Sequence, residues 1–107
     1  MAETPKILAQ HNPAAAGLED MYTAPAAGYA SGRLNICNRS GTATSFRVAV
    51  APAGAADDPK QYVAYDEAIG SNARAPSILI FMGPGDVLRV YATLATLSFS
   101  FMGAEFT

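Results

Sequence analysis

The chain has 107 residues, of which 50% are hydrophobic and 15% charged, and its formal net charge is −2. This length fits one domain, and because 22 residues are alanine the larger apolar side chains suffice only for one thin core. The seven basic residues are scattered without a cluster, which argues against nucleic-acid binding. The longest run of large apolar residues, residues 78–82, is too short to span a membrane.

Residues 1–28 predict an N-terminal arm or edge segment. Residues 6–10 and 18–23 each predict a short strand, and the prolines and glycines between and after them exclude a helix of useful length. No positively charged region precedes an apolar one, so we expect no signal peptide and synthesis in a reducing compartment.

Residues 29–107 predict a β-sandwich domain. Short runs, most of which alternate apolar and polar residues, are separated by turns rich in Gly, Pro, Asn and Asp. The runs are residues 33–37, 44–51, 61–69, 77–82, 87–93 and 97–101. Together with the N-terminal segment they predict an all-β fold: a single small antiparallel β-sandwich, jelly-roll or immunoglobulin-like, of six to eight strands. We expect the first two runs to form one hairpin and the last two to form another.

The chain offers few residues for reaction chemistry. His11 is the only histidine and Cys37 the only cysteine, and neither has a partner nearby in sequence that would complete a catalytic pair or a metal site. Residues 83–86 resemble a phosphate-binding loop only superficially, because the third glycine and the Lys-Ser/Thr pair are missing. The sequence therefore predicts a protein that is not an enzyme and that binds no cofactor or metal.

The tyrosines are the more informative side chains. Tyr62 and Tyr65 are predicted on opposite faces of one strand, and Tyr91 is predicted to face away from the neighbouring Val90. Exposed tyrosines are typical of binding surfaces, although ordinary packing at the rim of a sandwich is the alternative.

Five stretches of the chain resemble small β-rich structural proteins of tailed bacteriophages, of the capsid decoration (cement), head-fibre or tail-associated type. The stretches are residues 21–26, 35–50, 60–66, 86–92 and 97–105. The likeness covers nearly the whole chain, but its motifs are strand edges and turns. After the first stretch such proteins continue with a β-branched run, whereas this chain has Gly28 and Gly32, so we expect a shortened or bulged strand there. Pro76, at the start of a strand, indicates an edge strand.

The resemblance implies a non-enzymatic virion structural protein, made in the bacterial host cytoplasm and located on the capsid exterior. Its partner would be the major capsid protein, whose assembled lattice it would bind and stabilise, with no nucleic-acid or membrane partner. It would also associate with itself, as a trimer ahead of a dimer. The contact residues chosen by residue type and expected exposure are Lys6, Ile7 and Leu8 of the N-terminal arm, with Arg47, Tyr62 and Tyr65.

The alternative function is that of an adhesion module on a tail or head fibre, binding a host-surface glycan or protein. The loops at residues 53–59 and 70–73 would then provide the specificity, because binding residues concentrate on loops held by a rigid scaffold. The chain contains no tryptophan, which disfavours a saccharide site.

Overall fold

The computed structural model describes residues 2–107, and this part of the chain is all-β. The strands are β1 (Glu3–His11), β2 (Gly17–Thr23), β3 (Tyr29–Asn38), β4 (Thr44–Ala51), β5 (Tyr62–Ile69), β6 (Ile78–Met82), β7 (Val87–Ala92) and β8 (Leu97–Phe106). Two single-turn 3-10 segments, Pro52–Gly54 and Pro59–Gln61, lie between β4 and β5. Each run that alternates apolar and polar residues forms a strand, which confirms the predicted all-β class.

The strands form two four-stranded antiparallel sheets that pack face to face. Sheet 1 has the order β1-β8-β3-β6, and sheet 2 has the order β2-β7-β4-β5. The chain passes from one sheet to the other at every connection except the one between β4 and β5. Eight strands in this order form a jelly roll, which decides between the two predicted topologies, since an immunoglobulin domain of the seven-strand type divides its strands four and three.

The two predicted hairpins are wrong. β3 pairs with β8 and β6, and β4 lies in the other sheet. In the same way β7 pairs with β2 and β4, whereas β8 belongs to sheet 1. A turn sequence specifies only that the chain reverses direction. After the reversal the next strand can pair with the previous one in a hairpin, or it can cross to the other sheet, as it does here.

The first 28 residues contribute the edge strands β1 and β2. β1 pairs with β8 at the edge of sheet 1, and β2 pairs with β7 at the edge of sheet 2. Each edge strand contains one β-bulge, at Leu8 and at Met21, where one extra residue interrupts the register. β1 and β2 are therefore edge strands of the same sandwich as residues 29–107.

The expected shortening or bulge in β3 is also wrong. All ten residues of β3 pair with β8 in unbroken register, from Tyr29 opposite Phe106 to Asn38 opposite Leu97. Gly32 lies opposite Gly103 in this ladder. The two backbones approach so closely there that a Cβ atom on either glycine would collide with the other strand. The glycine of β3 thus permits a close strand pairing instead of ending the strand.

The core lies between the sheets and consists of the inward-facing side chains of both. Its largest fully buried apolar members are Phe46, Phe99, Phe101, Leu34, Ile36, Met82, Leu88 and Leu97. Aromatic rings contact each other across the core, since Phe46 meets Phe99 edge to face at 6.3 Å between ring centroids and Tyr22 meets Phe101 in the same way at 5.6 Å. This packing leaves the outer faces of both sheets for contacts with other molecules.

Candidate binding surfaces

An arginine held between two tyrosines forms the centre of the outer face of sheet 2. The guanidinium of Arg47 lies 4.2 Å from the ring centroid of Tyr65 and 4.4 Å from that of Tyr91. Its Nε donates a hydrogen bond to Oδ1 of Asp66 at 2.6 Å, and the ring of Tyr62 meets that of Tyr65 edge to face at 5.1 Å. We call these five residues the Arg47 cluster. Three of its members, Arg47, Tyr62 and Tyr65, are candidates from the sequence.

β5 brings both of its tyrosines to the same face, so the prediction that they lie on opposite faces is wrong. Tyr62 and Ala64 pair with two successive residues of β4, which makes Val63 an extra residue in a β-bulge. The bulge changes the alternation by one position, and Tyr65 therefore points outward together with Tyr62. Asp66 follows with a positive φ of 49°, at a second break in the register.

The surroundings of the Arg47 cluster shift the pKa values of two of its side chains. The hydrogen bond to Asp66 raises the pKa of Arg47. Burial, followed by a hydrogen bond to Asp57, raises the pKa of Tyr62. Tyr65 is nevertheless 60% exposed. Rigidly held tyrosine and arginine side chains with exposed surface are the residue types most enriched at the energetic centres of protein interfaces.

A second arginine–aspartate pair lies next to the Arg47 cluster on the same face. Arg89 of β7 donates to Oδ1 of Asp20 at 2.9 Å and to the carbonyl oxygen of Ala55 at 2.8 Å. Both arginines of this face thus have a carboxylate partner. The face thus combines exposed aromatic surface with two arginine–aspartate ion pairs.

The other three candidate residues, Lys6, Ile7 and Leu8, lie on β1 at the edge of sheet 1, away from the Arg47 cluster. Ile7 is exposed on the outer face, whereas Leu8 occupies the bulge and packs against the core. Lys6 places its Nζ 2.8 Å from Oε1 of Glu105 on β8. The structure therefore separates the six candidates into two groups on different sheets.

Glu105 also joins the two sheets. The hydroxyl of Tyr22 on β2, in sheet 2, donates a hydrogen bond to Glu105 of β8, in sheet 1. The ion pair with Lys6, followed by the bond from Tyr22, lowers the pKa of Glu105. Burial, followed by the contact with Glu105, raises the pKa of Tyr22. Lys6 thus acts within a polar contact that connects the sheets.

The only histidine has a partner that the sequence did not predict. Nε2 of His11 lies 2.8 Å from Oε1 of Glu19, and Oε2 of the same carboxylate accepts the backbone N–H of Ala14 at 2.9 Å. These two contacts, His11 first, lower the pKa of Glu19. The contact joins the edge strands β1 and β2, so it fastens the two sheets where the chain first crosses between them.

The outer face of sheet 1 presents a row of exposed apolar side chains that the sequence analysis did not single out. Ile7, Met102 and Leu79 lie in one line across the four strands, and the charged Arg33 of β3 lies between Met102 and Leu79. Phe81 is 72% exposed, Leu79 is 51% exposed, and Tyr29 stacks on Phe106 at the end of the same face. We call Ile7, Tyr29, Leu79, Phe81 and Met102 the apolar face. A signal for it exists in the sequence, since residues 78–82 are apolar at every position although Pro76 marks an edge strand.

A groove of about 680 Å³ continues from the apolar face toward the other end of sheet 1. Its lining comes from β3, β8 and the segment before β6 and presents more apolar than polar surface. The apolar part comes from Ile36, Ala75, Pro76 and Met102, and the other lining residues are Asn35, Cys37, Arg74, Ser77, Ser98 and Ser100. Cys37 is exposed and makes no disulfide in the described part of the chain. Hydroxyl, amide and guanidinium groups in an open groove can accept and donate hydrogen bonds to a polar ligand.

Comparison of the chain with protein-family models, with curated proteins and with solved structures finds no match. Within residues 2–107, no three His, Cys, Asp or Glu side chains are grouped so that they could hold a metal ion. No helix in that part of the chain is long and apolar enough to cross a membrane. The two outer faces, one with the Arg47 cluster and one with the apolar face and groove, are therefore the candidate binding surfaces.

Proposed function

We propose that the protein is a non-enzymatic virion structural protein, a capsid decoration (cement) protein that binds the assembled major capsid lattice from outside. The observation that carries the proposal is the Arg47 cluster, in which exposed tyrosines and a paired arginine are already held in one arrangement on a rigid sheet. Two further points support it. The jelly roll is an architecture of viral capsid domains, and the resemblance of five stretches to phage structural proteins leads to the same class.

A cement protein stabilises its lattice by mass action. It binds the assembled lattice better than dissociated subunits, so its binding free energy is added to the stability of the particle. Weak contacts suffice, because many copies bind one particle and linked copies bind with high effective concentration. A pre-organised cluster such as that of Arg47 limits the side-chain entropy that binding would otherwise cost.

Binding of the purified protein to expanded capsids and to isolated tails of the phage that encodes it tests the proposal. We expect saturable co-sedimentation with capsids and an increase in their heat resistance. The Tyr65→Ala variant should bind at least about tenfold more weakly, because exposed tyrosines at interface centres commonly contribute this much. The Tyr29→Ala variant is the matched control, since Tyr29 is an exposed tyrosine of the opposite sheet, and it should bind like the wild type.

Each outcome has a definite meaning. Absence of binding to capsids would overturn the cement function. Capsid binding that Tyr65→Ala leaves unchanged would remove the Arg47 cluster from the interface. Binding to tails or host cells alone would favour the adhesion module.

The groove on sheet 1 is the observation that favours this second function. Its amide, hydroxyl and guanidinium groups suit the hydroxyl groups of a glycan, and Arg74 follows directly on the loop at residues 70–73. In that case adhesion to host cells should be lost in the Asn35→Ala variant and retained in Tyr65→Ala. If adhesion is instead retained in Asn35→Ala and lost in Tyr65→Ala, the groove is not the site that binds host cells.

A further inference from the structure

Each sheet has two edge strands, whose outer backbone groups are free to pair with another strand. Natural edge strands are commonly protected by proline, bulges or charged residues, which make such pairing unfavourable. Three of the four edges have this protection. β1 contains Pro5 and the bulge at Leu8, β2 contains the bulge at Met21, and β5 contains two register breaks together with the positive φ of Asp66.

β6 is the exception. It pairs with β3 at five successive positions without a register shift, and its sequence, Ile-Leu-Ile-Phe-Met, has no charge and no proline. Leu79 and Phe81 lie on its outer face, and within residues 2–107 Phe81 is the most exposed of the large hydrophobic side chains. A regular, apolar and unprotected edge is a site at which another strand adds to the sheet.

The sequence of β6 is suited to pairing with its own copy. In an antiparallel pair centred on Ile80, Leu79 lies opposite Phe81 of the second copy, and Ile78 lies opposite Met82. Each contact occurs twice and joins two apolar side chains, and no like charges are opposed. The other edges are bulged or carry carboxylates, so β6 of one copy matches β6 of another better than it matches β1, β2 or β5.

We propose that two copies of the chain pair antiparallel through β6, about a two-fold axis at Ile80. This pairing joins sheet 1 of one copy to sheet 1 of the other and forms one continuous sheet of eight strands. This inference deepens the proposed function, because the resemblance to phage structural proteins also implies self-association. It makes a two-fold dimer, rather than a trimer, the basic unit. The apolar faces of the two copies become one surface, with the two Leu79–Phe81 contacts at its centre.

The size of the β6–β6 interface indicates how stable the dimer should be. Five paired residues extend over about 17 Å, which places the interface at the small end of the range for specific complexes. The dimer should therefore depend on concentration and should dissociate on dilution. On a lattice, where copies are close together, the effective concentration favours it.

Cysteine cross-linking tests the register. The single variants Leu79→Cys and Phe81→Cys are made in a Cys37→Ser background and oxidised separately and as an equal mixture. Directly opposite residues have Cβ atoms about 4.5–5.5 Å apart, near the distance that a disulfide requires, whereas diagonal neighbours are about 7–8 Å apart. We expect a disulfide-linked dimer in the mixture and little in either variant alone. Equal cross-linking in all three samples would overturn the proposed register.

Sedimentation velocity of the purified protein tests whether the dimer forms through β6. The wild type should change from monomer to dimer with rising concentration. The Leu79→Lys/Phe81→Lys double variant opposes lysines in both contacts and should remain monomeric. The control, Ile7→Lys/Met102→Lys, adds the same charge to the same face at a distance from β6 and should still form dimers.

Three results would overturn the proposal. These are a wild type that stays monomeric at every concentration, an oligomer that survives in the β6 variant, and a control that loses the dimer as well. If the β6 variant is unfolded by circular dichroism, the cross-linking result decides. No capsid takes part in either experiment, so a failure here leaves the test of capsid binding unaffected.

Discussion

Adding a single methyl group at Gly103 should destabilise the sandwich strongly. A Cβ atom at this position would lie 2.1 Å from the carbonyl oxygen of Ser31 and 2.5 Å from Cα of Gly32, both on the backbone of β3. Carbon–oxygen contacts between strands are normally about 3.3–3.6 Å, so β3 and β8 would have to separate by about 1 Å. Overpacking of this kind costs about 1–3 kcal/mol, and each ladder hydrogen bond that is lost adds about 1 kcal/mol.

We therefore expect Gly103→Ala to lower the free energy of unfolding by about 3 kcal/mol. This is a large part of the roughly 5–15 kcal/mol that stabilises a domain of this size, and it corresponds to a fall in Tm of about 10–20 °C. Urea unfolding followed by far-ultraviolet circular dichroism measures the change, with an unaltered m-value as the sign that the denatured state is the same.

Gly41→Ala is the matched control. No atom lies within 4 Å of a Cβ built at Gly41, and its φ is not in the left-handed region. This variant should be within about 0.5 kcal/mol of the wild type, or slightly more stable because alanine restricts the unfolded chain. If Gly103→Ala and Gly41→Ala have the same stability, the close approach of β3 and β8 does not constrain the fold and the reasoning is refuted.

Three further predictions concern the core, the contact between the sheets and the turns. Phe101→Ala removes a fully buried ring and should cost about 3–5 kcal/mol in urea unfolding; a cost under about 1 kcal/mol would contradict its place in the core. Lys6 and Tyr22 lower the pKa of Glu105 below its ordinary value of 4.5, so its contribution to stability is complete above that pH and is lost as the pH falls through the lower folded-state pKa. Glu105→Gln should therefore be less stable at pH 7 and decline less steeply in acid, and parallel pH profiles of the two proteins would refute this. Asp86 accepts hydrogen bonds from two backbone amides of neighbouring turns, at 2.8 and 2.9 Å, one at each carboxylate oxygen, so Asp86→Ala should cost about 1–3 kcal/mol in urea unfolding, and an unchanged stability would refute this role.

The strands could be read from the sequence because alternation is a local property. Residues 44–51 alternate along one strand, and the structure places Phe46 and Val48 inward and Arg47 outward. The pairing could not be read in the same way. The turn at residues 38–41 reverses the chain, and only the packing of the two sheets determines that β3 pairs with β8, about sixty residues away, rather than with β4.

The candidate surface was predictable only in part. Residue type alone singled out Arg47, Tyr62 and Tyr65, because tyrosine and arginine are common at interfaces. Their arrangement depends on the β-bulge at Val63, which the sequence of β5 does not indicate. It also depends on the pairing of β7 with β4, which places Tyr91 beside Arg47. The apolar face is formed by residues of all four strands of sheet 1 and becomes a surface only when these strands are neighbours.

By itself, the sequence determined that this chain is all-β, where its strands lie and which residue types are available for binding, since these follow from the period of two along each strand and from composition. The tertiary structure alone decided the jelly-roll order, the same-face position of Tyr62 and Tyr65, and the isolation of β6 as an unprotected edge. Those features depend on contacts between residues far apart in the chain, and on single-residue bulges that shift the face of every side chain after them.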